Sequence, residues 1–181
     1  MISGSIGKFG KFRLWRNQRN SSFCKNTNDE VVFNSDAQKS NSSNITDLVI
    51  EVMIPRGARV LYGQLGIKKS LFGAEIIRTD EFDTGSNFLA GYERALVADF
   101  DSVFVGLSQN YAKAAIRGFK RALINGVKIE LNQLQIFYAA YGEVSSNEQI
   151  FEKMGFALTN LIAGSCDANS EVSINLLFED K

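Results

Sequence analysis

The stretch SQNYAKAAIRGFKRALINGVKIELNQLQIFYAAYGEVSSNEQIFEKMGFALTNLIA, residues 108–163, decides the fold. It reads as helix, extended segment, helix. Between Ser108 and Ile124, the residues Tyr111, Ala115, Phe119, Ala122 and Leu123 recur at the three-to-four spacing that puts them on one helical face. Ser108 or Asn110 can cap the start, and Asn125-Gly126 supplies a left-handed stop. The cations Lys113, Arg117, Lys120 and Arg121 occupy the rest of that helix, which carries no acid of its own.

From Val127 to Tyr141 apolar residues alternate, first Val127, Ile129 and Leu131, then Leu134, Ile136 and Tyr138. The phase changes at Asn132-Gln133, so the segment is either a bulged strand or a hairpin. The second helix is expected over Ser145 to Ala163. Ser145 to Glu148 and Ser146 to Gln149 both have capping-box spacing. Ile150, Phe151, Met154, Leu158, Leu161 and Ile162 then form an apolar stripe that reads as core, and Gly164 ends it.

Upstream, Leu48 to Ile54 is apolar and β-branched, and Pro55 stops it, which reads as a strand. Arg56-Gly57-Ala58-Arg59 makes a turn into a second extended run, Val60 to Ile67, whose glycines predict a bulge or a close backbone approach. Gly73 to Arg78 offers a third short strand, and Ser102 to Leu107 another. Leu89 to Asp99 is open between helix and strand. Downstream, Val172, Ile174 and Leu176 alternate as a final strand would. Strands followed by helix, strand, helix is an α+β order: an antiparallel or mixed sheet packed against two helices, forming a single domain over residues 45–181.

Residues 1–44 read as a basic, Asn/Ser-rich arm, expected to be disordered. Lys8, Lys11, Arg13, Arg16, Arg19 and Lys25 all precede the first acid, Asp29, while the formal charge of the whole chain is zero. A basic arm on a mildly acidic body follows. Its cations alternate with Phe9, Phe12 and Trp15, a pairing suited to nucleic-acid phosphates and bases. The Val31-Val32-Phe33 patch within it can pair as an edge strand. The same composition overlaps with an organelle transit peptide, so import is an alternative to a cytoplasmic location.

The 181 residues contain no histidine and two cysteines, Cys24 and Cys166. Without histidine there is no Ser-His or Cys-His nucleophile pair, and the commonest zinc ligand is missing. Asp80, Glu81 and Asp83 lack the spacing of a calcium loop and read as a solvated turn. Asp99 and Asp101 read as the boundary between two elements rather than as an acid–base pair. The chain is expected to be no enzyme and to hold no cofactor or metal. No run of apolar residues is long enough to span a bilayer.

Tyr111-Ala112-Lys113-Ala114-Ala115-Ile116-Arg117-Gly118-Phe119-Lys120-Arg121-Ala122-Leu123-Ile124-Asn125-Gly126 resembles the first helix of domain IV of elongation factor G, with its aromatic start, mid-helix glycine and Asn-Gly-like exit. Leu134 to Tyr138, followed by Tyr141-Gly142-Glu143-Val144-Ser145-Ser146, looks like that family's strand, loop and Ser-Ser helix start. The resemblance covers residues 102–163. It implies a fold similar to the second domain of ribosomal protein S5. The family's GTPase motif has no counterpart, its tip histidine falls near Gly142, and its glycine-rich loop has only a loose counterpart around Gly63 to Gly73. The resemblance therefore implies the fold and not the family's role at the decoding centre.

Two functional readings follow. One is a non-catalytic RNA- or ribosome-associated protein that binds through Lys11, Arg13 and Arg16 of the arm and Arg117, Lys120 and Arg121 of the helix. The other is a protein–protein interaction or self-assembly module, a homo-oligomer or a docking partner, which the near-neutral charge and the apolar content of 45% favour.

Overall fold

The computed structural model describes residues 1–17, 29–32, 45–69, 76–79, 94–129, 134–164 and 171–178. Strands β1 (Ile2–Ile6), β2 (Gly10–Arg16), β3 (Asp29–Val32), β4 (Asp47–Arg56), β5 (Arg59–Lys69), β6 (Ile76–Thr79) and β7 (Val103–Val105) come first. Helix α1 (Gln109–Ile124), strand β8 (Leu134–Gly142), helix α2 (Glu148–Ile162) and helix α3 (Glu171–Phe178) follow. Six strands form one sheet in the order β1-β2-β4-β5-β8-β7, and β3 pairs with β6 as a separate ribbon. Every pairing is antiparallel, so the α+β class expected from the sequence takes its antiparallel form.

Strand β4 shows why the apolar run Leu48 to Ile54 is unbroken. Leu48, Ile50, Val52 and Ile54 join the core beneath the helices. Val49, Glu51 and Met53 point to the opposite face and are buried as well. A strand covered on both sides needs apolar residues at every position, not at alternate ones. Its partner β5 carries the two glycines that predicted a bulge or a close approach, and the structure has both. A side chain at Gly66 would collide with Tyr138 on β8, and the β5–β8 register shifts between Gly66 and Ile67. A Cβ at Gly63 would sit 2.8 Å from Met154 Sδ, so α2 rests directly on β5.

The two long helices pack against each other on that face. Ser108 caps α1 by accepting the Tyr111 N–H, and Gly126 follows it at φ +89°, as the sequence leads one to expect. Helix α2 starts later than the capping-box spacing implied. Asn147, not Ser145 or Ser146, is the cap, because its Oδ1 accepts the Ile150 N–H while both serines are used in the preceding loop. Where the helices cross, Gly118 meets the backbone of Glu152 and Phe156, and Gly155 meets the backbone of Ala115. Neither position has room for a Cβ.

Two other expectations are corrected. Residues 2–6 and 10–16, read as part of a disordered arm, are the first two strands of the sheet. The alternation of Phe12 and Leu14 with Lys11, Arg13 and Trp15 is a strand pattern, and Phe12 and Leu14 lie in the main core. The remainder of the arm, including Arg19, Cys24 and Lys25, lies outside the described residues apart from β3. The second correction concerns residues 172–176, which are helical. Ile174 and Phe178 are the buried pair of α3, at the i, i+4 spacing of a helix face. Two-residue alternation and a short helix apolar on both sides give the same string.

Val31 and Val32 pair as expected, with Ile77 and Ile76 of β6. The phase change at Asn132-Gln133, the carboxylates Asp80, Glu81 and Asp83, and Cys166 lie outside the described residues. Residues 94–101 form neither helix nor strand but a series of turns across the sheet's second face. There Ala95 and Val97 build a small core with Met53, Tyr62, Val103 and Ala140. No described helix is long and apolar enough to cross a membrane.

Candidate nucleic-acid interface

The six cations expected to form one binding surface are separated by the sheet. Lys11 and Arg13 stand on the face opposite the helices, since they alternate with Phe12 and Leu14 of the main core. Arg13 is committed there: Nη1 lies 3.2 Å from Glu51 Oε2 and donates to the Arg94 carbonyl at 2.8 Å. On the helix side, Arg117 donates to Glu148 at 2.7 Å and reaches Glu152 at 3.4 Å. Arg121 pairs with Glu152 at 2.9 Å and lies over the Phe156 ring. The acids absent from α1 are supplied by α2. Hydrogen bonding to Glu148 raises the Arg117 pKa above its ordinary value, so this cation stays charged but is shared. Arg16 and Lys120 are likewise partnered.

Lys11 is exposed and belongs to a different cluster, at one end of the sheet. The register places it there. Lys11 pairs with Met53, and Arg56 pairs with Arg59, so the β1–β2 turn and the β4–β5 turn emerge side by side. Val103 pairs with Gly142, which brings residues 99–102 and the β8–α2 loop to the same end. The rim so formed carries Lys8, Phe9 and Lys11 from one turn, Arg56 and Arg59 from the next, and Phe100 and Val144 beyond them. Phe9 is 65% exposed, Phe100 59% and Val144 86%, high values for large apolar side chains. Lys8 Nζ sits 5.0 Å from the centre of the Phe9 ring. Asp99 and Glu143 are exposed on the far half of the rim, so positive charge is concentrated at the two hairpins.

Between the β4–β5 turn and the β8–α2 loop lies a cleft of about 470 Å³, lined among others by Arg59, Phe100, Asp101, Val144 and Asn147. Its loop wall is tied down bond by bond. Asp101 accepts from the Ser145 hydroxyl, from the Ser145 N–H at 2.9 Å and from the Val144 N–H at 3.3 Å. Ser146 Oγ accepts the Gly142 N–H and donates to the Tyr62 carbonyl, both at 2.8 Å. The Tyr62 N–H in turn donates to the Ser145 carbonyl at 2.9 Å. Asp101 thus clasps the β8–α2 loop to residues 99–102. Beneath the loop, Tyr111 stacks on Phe151 at 4.7 Å and meets Tyr141 edge-on at 5.7 Å, and its hydroxyl donates to the Ser146 carbonyl.

The opposite wall is anchored through Glu51, which is fully buried in β4. Its carboxylate accepts from Arg13, from the Tyr62 hydroxyl at 3.0 Å and from the Leu96 N–H at 3.0 Å. Burial raises its pKa, and the three donors oppose that rise without cancelling it. Through Leu96 this carboxylate holds the turn segment that presents Phe100. Among the described residues no group of three or more Cys, Asp or Glu side chains is placed to hold a metal ion.

Sequence reasoning found Lys8, Phe9 and Lys11 as an alternation but missed Arg59 and Phe100. Two signals were present: a turn bracketed by arginines, and a phenylalanine between two aspartates where an apolar side chain has no reason to be exposed. Comparison with protein-family models, with curated proteins and with solved structures returns no match for this chain.

Proposed function

We propose that this chain is a non-catalytic RNA- or ribosome-associated protein whose contact surface is the turn end of its sheet. The observation that carries the reading is the exposure of Phe9 and Phe100 on the same rim as Lys8, Lys11 and Arg59. Cations neutralise phosphates, and aromatic faces stack on unpaired bases, so the combination suits single-stranded or looped RNA better than a continuous duplex. Asn147 Oδ1 and the hydroxyls of Ser145 and Ser146 are already used within the loop. The surface therefore favours stacking and charge over base-specific hydrogen bonds.

A second reading rests on Val144, which is apolar, highly exposed and beside the cleft. A rim of Phe9, Phe100 and Val144 also suits a protein partner. Salt separates the two. Fluorescence anisotropy with a labelled single-stranded oligoribonucleotide, repeated across a salt series, is expected to show affinity falling steeply as salt rises. Absence of RNA binding at low salt would remove the first reading and leave the second.

A further inference from the structure

The edge strand β1 reads Ile2-Ser3-Gly4-Ser5-Ile6, the same forwards and backwards. Among the described residues it has a strand partner on one side, β2. On the other side stands α3, and it does more than pack nearby. The Ser5 N–H donates to Glu171 Oε1 at 2.5 Å, and the Gly7 N–H donates to Asn175 Oδ1 at 2.9 Å. These are outward-facing amides two residues apart, the positions at which an added strand would offer carbonyl oxygens. Glu171 and Asn175, one helical turn apart, take the place of those carbonyls. Gly4 makes the approach possible, since a Cβ there would stand 2.7 Å from Glu171 Cδ.

The cover is slight. Helix α3 has eight residues, shorter than the length at which an isolated helix is stable. It is held by Ile174 and Phe178, while Val172 and Leu176 on its other side are 67% and 64% exposed. Edge strands invite pairing with another chain and are commonly guarded. Antiparallel pairing of this strand with its own copy about Gly4 would set Ser3 opposite Ser5 and Ile2 opposite Ile6 at both ends.

We infer that β1 is a latent self-pairing edge, that its partner is β1 of a second copy of this chain, and that α3 is the latch that occludes it. Strand alternation turns the N–H and C=O of Ser3 outward with those of Ser5. A two-fold axis through Gly4 then sets Ser3 against Ser5 of the second copy in a hydrogen-bonded pair, and Ser5 against Ser3 in another. The glycines meet at the axis, where a narrow non-hydrogen-bonded pair needs no side chain. Each Ile2 lies beside the other copy's Ile6 on the helix-bearing face. The product is an isologous dimer with one sheet running through both subunits. The pairing is independent of the RNA reading, because β1 and the rim cations use different atoms.

The test uses the full chain carrying Glu171→Ala and Asn175→Ala together. Hydrogen exchange at the Ser5 and Gly7 amides, taken at a concentration where each protein is monomeric, reads the latch, and sedimentation velocity over a concentration series reads association. The double variant is expected to exchange those amides faster and to dimerise at about a hundredfold lower concentration than the parent, since each dimer opens two latches and so frees the edge from four competing hydrogen bonds. Adding Ser5→Pro, which removes an outward N–H without disturbing the β2 ladder, is expected to bring association back to the parent's level. Unchanged exchange at Ser5 and Gly7 would overturn the latch. Faster exchange without stronger association would overturn self-pairing and leave α3 as simple edge protection. Dimerisation that survives Ser5→Pro would place the contact elsewhere and overturn the proposal.

Discussion

Arg13 and Glu51 face each other in register across β2 and β4, with the guanidinium 3.2 Å from a carboxylate that no solvent reaches. The pair ties a strand near the chain's start to the centre of the sheet, and through the Arg94 carbonyl and the Leu96 N–H it ties both to the segment carrying Phe100. A cation that the sequence offers as a phosphate ligand is therefore part of the scaffold that positions the rim.

The buried carboxylate gives stability an unusual pH dependence. Because burial raises the Glu51 pKa above that of the unfolded chain, the folded state takes up its proton at higher pH. Stability contributed by this group is therefore highest below the ordinary carboxylate pKa and falls as pH rises through the raised one, the reverse of a typical paired carboxylate. Glu51→Gln keeps an acceptor for Tyr62 and Leu96 and should flatten that slope. Glu51→Leu removes the acceptor of the buried Tyr62 hydroxyl and of the half-buried Leu96 N–H, and is expected to cost on the order of 2 kcal/mol. Denaturant unfolding of the three proteins from acid to neutral pH checks both, and an unchanged slope in Glu51→Gln would show that other groups set it.

At the helix crossing, Gly155→Ala tests which of two effects is larger. Alanine favours the helix by about 1 kcal/mol over glycine. The new methyl, however, falls on the backbone of Ala115, which cannot rotate aside as a side chain would. The contact would be with the Ala115 carbonyl oxygen, far inside van der Waals distance, so separating the helices lies at the upper end of such costs, about 3 kcal/mol. The net loss of about 2 kcal/mol should lower the Tm by roughly 4–8 °C. Gly118→Ala meets the backbone of Glu152 and Phe156 and should behave alike.

Removing the loop clasp should loosen the rim before it harms the core. Asp101→Ala deletes the acceptor of three hydrogen bonds from Val144 and Ser145. A loss of about 1–3 kcal/mol is expected, together with faster amide exchange at Val144 and Ser145 and little change at Ile150. Asp101→Asn, which keeps an acceptor oxygen, should lie between the variant and the parent.

The helices and central strands were legible because their periods are long and their ends are punctuated by Ser108, Pro55, Gly126 and Gly164. The role of residues 2–16 was hidden by composition, since Lys11, Arg13 and Arg16 of β2 outnumber Phe12 and Leu14, the two core residues that anchor it. Helix α3 was hidden because Val172, Ile174 and Leu176 alternate as a strand's residues do, while the pair that it buries, Ile174 and Phe178, has helical spacing. The candidate site was the least legible part. A rim assembled from the β1–β2 turn, the β4–β5 turn, residues 99–102 and the β8–α2 loop has no signature in any one of them. The ion pairs that occupy Arg117 and Arg121 come from another helix, and single-helix reading does not reach across elements.

The most direct test of the RNA-binding surface compares salt slopes. Binding of a single-stranded oligoribonucleotide is measured across a salt series for the parent, for Lys8→Ala/Lys11→Ala/Arg59→Ala, and for Arg117→Gln/Arg121→Gln. Each lost phosphate contact lowers the slope of log K against log salt by about 0.7, so the rim variant should lose about 2 while the helix variant keeps the parent's slope. A helix variant that loses the slope while the rim variant retains it would place binding on α1 and contradict the assignment of the turn end.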